Sequence, residues 1–154
     1  MMLNDYRPVI ADTSCLILLN RIKELNLLQK LFGELYITQK VADEYRQTIP
    51  DYIKIANPKN KKLVARLADK VDMGEATSIA LAKEWKNSIL IIDDLKGRKI
   101  AGEMNITFTG TIGIILLAKE NNIISSLIPI FTKIKKTDFR VPHSLLDTLS
   151  KKLK

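Results

Sequence analysis

Ser88–Ile92 reads SILII, five uncharged residues that stop at two adjacent aspartates, Asp93 and Asp94. A strand with one face in water alternates polar and apolar residues. A short unbroken apolar run is the signature of a strand covered on both faces. Such a strand needs helices above and below it, and the rest of the chain offers them. Pro8–Ala11 (PVIA), Leu35–Ile37 and Ile106–Thr109 are further short strand candidates. Between them apolar residues recur at helical spacing: Leu16–Leu19 with Ile22, Leu25–Phe32 stopped by Gly33, and Val41, Ala42 and Tyr45 behind a capping Thr38. The same spacing returns in Leu63, Val64 and Leu67, in Asp72–Lys86, and in Arg98–Met104. Gly110–Glu120 is apolar almost all round and reads as a buried helix. Thr13 or Ser14 can cap the first helix. Two helices close the chain, over Ser126–Ile134 and from Pro142. Alternating strands and helices predict an α/β fold, with a central parallel sheet of four or five strands between two helical layers. The 154 residues are expected to form a single domain, 1–154, with Asn57–Lys62 (NPKNKK) as a solvated basic loop within it.

The longest apolar runs, Cys15–Leu19 and Ile112–Ala118, fall far short of the roughly 20 residues that span a bilayer. Asp5, Arg7 and Asp12 break any apolar stretch at the amino end, so no signal peptide is expected and a cytoplasmic protein is. One cysteine, Cys15, excludes an intrachain disulfide and a multi-cysteine zinc site. The net charge of +8 favours polyanions, nucleic acid first. Much of that excess lies beyond Lys133, and Lys151, Lys152 and Lys154 are candidate RNA contacts.

In an open parallel sheet, function gathers at the carboxyl ends of the strands. The first strand ends at Asp12-Thr13-Ser14, the SILII strand at Asp93-Asp94, and the last at Thr109-Gly110-Thr111. Glu44 sits on the helix behind Thr38, and Glu75 opens the helix before SILII. Singly, each acid has a plain role as a helix cap, an exposed charge or a partner of a helix dipole. Together they describe an acidic pocket in a basic protein. Crowded carboxylates repel one another, and a hard divalent cation, Mg²⁺ or Mn²⁺, relieves the repulsion. Such a cation activates water and neutralises charge on a phosphodiester.

The series VIADTSCLILL, VADEY, GEATSIALA, ILIIDDLKGRKIA and FTGTIGIILLAKENNII resembles the PIN-domain nucleases, most closely the branch of VapC-like toxins of toxin–antitoxin pairs. The resemblance runs from about Val9 to the final helix. It implies a PIN-like α/β/α sandwich and a Mg²⁺- or Mn²⁺-dependent endoribonuclease. Asp12, Glu44, Glu75 and Asp94 are the implied catalytic acids, and Asp12, Glu44, Asp93 and Asp94 the implied metal ligands. Thr13, Ser14 and Thr111 support them, with the Ser14 hydroxyl holding the Asp12 carboxylate. Of the adjacent pair, Asp94 is the favoured metal contact and Asp93 a ligand or a supporting residue. Many PIN toxins separate these two acids, and here Thr111 stands where a later polar group would fall. The resemblance also implies a homodimer and a small antitoxin partner.

Two other readings remain. A haloacid-dehalogenase-like phosphatase needs a second aspartate two residues after the first, where this chain has Ser14. A non-catalytic RNA- or protein-binding module could use the basic carboxyl-terminal region, but aromatic residues are only 6%, which leaves little for base stacking. His143 is the only histidine, which rules out a metal-free ribonuclease with a histidine pair.

Overall fold

Asp12 follows the central strand of a sheet whose two halves were laid down by different parts of the chain. The structure, a computed structural model, describes residues 7–139. In chain order the elements are β1 (Val9–Ala11), α1 (Thr13–Arg21), α2 (Leu27–Phe32), β2 (Leu35–Ile37), α3 (Gln39–Tyr45), β3 (Ile53–Ile55) and α4 (Lys61–Ala68). They continue with α5 (Met73–Glu84), β4 (Ile89–Ile91), α6 (Leu95–Glu103), β5 (Thr107–Thr109), α7 (Thr111–Glu120) and α8 (Ile128–Lys135). The strands form one all-parallel sheet in the order β3-β2-β1-β4-β5.

Side chains alternate across a strand, and that alternation sorts the core into two layers. Val9 and Ala11 of β1, with Leu35, Ile37 and Ile91, face α1, α2, α7 and α8. Ile10, Leu90 and Ile92 point the other way, against α4, α5 and α6. Ile10, Leu90 and Ile91 are fully buried, as a sheet covered on both faces requires. The expected three-layer α/β/α sandwich is what the chain forms.

The fifth strand, β3, has no counterpart among the four stretches singled out in the sequence. It is an edge strand of which only Ile53 is buried, so Lys54 and Ile55 give no run of apolar residues to read. Helix α6 begins three residues earlier than its apolar spacing indicates, because Asp94 caps it and accepts the Gly97 N–H at 2.9 Å. Helix α2 starts at Leu27 and ends at Gly33, whose φ of 75° no branched residue adopts readily. The basic loop ends at Asn60, which caps α4 by accepting the Leu63 N–H. Thr13 and Ser14 do not cap α1; they lie in its first turn, and Asp12 occupies the cap position without a side-chain cap bond. Pro142, His143 and Lys151, Lys152 and Lys154 lie outside the described residues.

Candidate active site

Strands β1 and β4 are direct neighbours, but the chain leaves β1 toward β2 and β3 on one side and β4 toward β5 on the other. That reversal opens a crevice at their carboxyl ends. The Asp12 N–H donates to the Ile91 carbonyl at 3.0 Å and the Ile92 N–H to the Thr109 carbonyl at 2.8 Å. These two bonds bring the ends of β1, β4 and β5 side by side, so Asp12, Asp93 and Gly110 emerge together.

Asp93 is held on three counts. The Thr111 N–H donates to its Oδ1 at 2.7 Å, and the Thr111 and Ser14 hydroxyls donate to its Oδ2 at 2.5 and 3.3 Å. Glu44 reaches in from α3. Its Oε2 accepts from the Thr13 hydroxyl at 2.8 Å and its Oε1 from the Gly74 N–H at 3.1 Å. Gly74 is placed by a buried hydroxyl chain: Thr77 and Ser78 donate to its carbonyl, and Thr77 meets the Thr38 hydroxyl at 2.8 Å, tying α5 to the end of β2. Both glycines here are close-approach positions. A Cβ on Gly74 would lie 2.6 Å from Glu44 Oε2, and one on Gly110 would lie 2.8 Å from Asp93 Oδ1.

Asp12 is buried and its carboxyl is pushed up to about 7, first by loss of solvent, against the lowering bond from the Thr13 N–H, and then by the charges of Asp72, Glu44 and Asp93. Half-buried Glu75 is pushed up to about 8, by burial and then by Asp72, Asp12, Asp94 and Glu44. Six acids therefore share one field. Asp72, which the sequence placed only at the start of a helical stretch, caps α5 by accepting the Glu75 N–H at 2.8 Å and also leads the charge repulsion on both neighbours.

The hydrogen bonds depart from the sequence reading at Ser14, and they distinguish the two members of the Asp93-Asp94 pair. Ser14 donates to Asp93 rather than to Asp12, because its position in the first turn of α1 turns it toward the end of β4. Asp94 spends Oδ2 on capping α6 and is exposed, whereas Asp93 is the member of the pair that Asp12 feels. Cys15 is buried, its thiol pushed up by loss of solvent, and takes no part.

Among the described residues no three acids are drawn into a ready-made metal cage. All the donors are hard oxygens, and burial first, then the charges of the neighbouring acids, raises the pKa values of Asp12 and Glu75, a cost that a cation would relieve. Mg²⁺ keeps most of its waters and takes only one or two carboxylates from a protein. The residues present fit a cation of that kind.

A family model described as DUF3368: PIN domain matches residues 8–154. The chain belongs to the PIN-domain family. No curated protein matches it. PIN domains are typically nucleases, act on RNA or DNA, and generally use divalent metal ions. Membership in the PIN family does not favour the phosphatase or the non-catalytic reading. No helix among the described residues is long and apolar enough to cross a membrane.

Proposed function

We propose that this PIN domain is an endoribonuclease dependent on Mg²⁺ or Mn²⁺. The observation that carries the chemistry is the meeting of Asp12, Glu44, Glu75 and Asp93 at the β1/β4 crevice, with the ionisation of Asp12 and Glu75 suppressed. Asp12 and Asp93 would hold the cation, an assignment that moves the metal contact from Asp94 to its neighbour. When bound, the cation supplies an activated water and offsets charge on the phosphate. Thr111 and Ser14 fix the Asp93 carboxylate, and Thr13 and the Gly74 N–H fix that of Glu44, so neither has to be ordered at the moment of reaction. Glu75 holds a proton near neutral pH, which suits a group that exchanges protons with a nearby water.

RNA as the substrate, the role of toxin, the homodimer and the small antitoxin rest on the motif resemblance; the geometry speaks for the phosphodiester chemistry. The test is cleavage of labelled single-stranded RNA and DNA with Mg²⁺, Mn²⁺ or a chelator. RNA is expected to be cut with either cation and to survive the chelator. Asp12→Asn and Asp93→Asn are each expected to lower the rate at least about a hundredfold, the scale on which losing one preorganised electrostatic contact slows an enzyme. Metal-independent cleavage, or full activity in both variants, would refute the reading.

A further inference from the structure

Arg98 lies one turn into α6, its N–H donating to the Asp94 carbonyl at 2.9 Å. Its side chain is half-buried and returns toward the acids. The guanidinium carbon lies 5.2 Å from the centre of the Phe108 ring. Nη1 is 3.4 Å from the point where Gly110 would carry a Cβ, and that same point is 2.8 Å from Asp93 Oδ1. The guanidinium and the Asp93 carboxylate therefore flank Gly110 at the rim of the crevice.

They do not close into an ion pair. The ion pairs among the described residues are Arg21–Asp138 and Lys133–Glu24, both remote from the crevice. Asp93 is already supplied with donors by Thr111 and Ser14. Arg98 is thus a planar donor fork, steadied on an aromatic ring, with no carboxylate among the described residues taking its hydrogen bonds. Stacking removes part of the entropy cost of fixing a long side chain, and the fork matches two phosphate oxygens. A pocket of acids repels a nucleic-acid strand. A fixed cation next to Asp93 gives a phosphate a place to dock against that repulsion.

We propose that Arg98 is a phosphate-binding residue that holds the nucleic-acid backbone beside Asp93. The proposal rests on the nuclease reading above. Its test is binding of a labelled mixed-sequence single-stranded RNA to the full chain in chelator, over a series of salt concentrations, with circular dichroism melting as the folding control. Arg98→Met keeps the stem against Phe108 and removes the fork. It is expected to melt like the parent, to bind about tenfold more weakly and to lower the salt slope by about one. If the methionine variant folds poorly, Arg98→Lys keeps the charge; it is expected to keep the salt slope and still bind several-fold more weakly.

Unchanged affinity and slope in a folded Arg98→Met would overturn the proposal while leaving the nuclease reading intact. So would unchanged RNA binding together with an altered Mn²⁺-induced melting shift, which would make Arg98 only a counter-charge for the acids. A parent protein that neither binds nor cuts RNA would remove the nuclease reading, and Arg98's role with it.

Discussion

At the scale of single residues, the site depends on two absent methyl groups. Alanine at Gly74 would suit helix α5 better than glycine does, by up to about 1 kcal/mol. Its Cβ, however, would stand 2.6 Å from a Glu44 oxygen, and a carboxylate on a flexible stem gives way before a helix does. Glu44 would then lose the Gly74 N–H and the geometry of its Thr13 bond. Gly74→Ala is therefore expected to melt no lower than the parent and to cleave RNA at least about tenfold more slowly, the cost of a small misplacement at a reacting centre. Melting temperature and cleavage rate, measured on the same preparation, separate the two effects. Residues of this sort explain what the sequence could and could not show. Asp12 and the Asp93-Asp94 pair stood out because they end apolar runs. The contacts of Ser14, Gly74, Gly110 and Arg98 depend on how loops from distant strands meet, and a single chain of letters does not record that.

Among the elements, helix starts carry the site. Asp72 and Asp94 cap α5 and α6, and Asp12 takes the same position on α1 without a side-chain cap bond. Three similar letters at three helix starts therefore do different work, and the cap bond distinguishes them. Asp94→Asn keeps the cap, since asparagine serves about as well. If Asp94 is a capping residue and not the metal contact, that variant should retain both stability and most of its cleavage activity. Asp94→Ala should cost about 1 kcal/mol of stability. A collapse of activity in Asp94→Asn would return the metal contact to Asp94. The elements themselves were largely readable, because each buried strand is an apolar run and each packed helix keeps its spacing. β3 was the exception, since Lys54 interrupts its apolar residues and three residues are too few to establish an alternation. Helix starts shifted by a few residues, as for α6, because caps rather than apolar residues set them.

Over the whole molecule, a chain with a net charge of +8 gathers six of its 17 acids at one crevice, and that should make its stability depend on pH in an unusual direction. Asp12 and Glu75 hold protons in the folded state up to about 7 and about 8, whereas in the unfolded chain they release them near the ordinary carboxylate values of 3.8 and 4.5. Between these limits the folded protein binds more protons than the unfolded one. The slope of unfolding free energy with pH is then negative. Their contribution is fully present below the unfolded values and is lost as pH rises through the folded ones. Each pK unit corresponds to about 1.4 kcal/mol, so buried Asp12 alone represents a few kcal/mol at most. In chelator, the melting temperature should therefore fall between pH 5 and pH 8, and Asp12→Asn should flatten the fall. A divalent cation competes with those same protons. The rise in melting temperature on adding Mn²⁺ should be small at pH 5, where the acids are protonated, and larger at pH 8, where their repulsion is greatest. Binding to the native state stabilises it by mass action, so Asp12→Asn should reduce the rise at pH 8. A melting temperature that climbs from pH 5 to pH 8 in chelator, or a Mn²⁺ effect independent of pH and of Asp12, would show that the acids are not the mutually repelling cluster on which the nuclease reading depends.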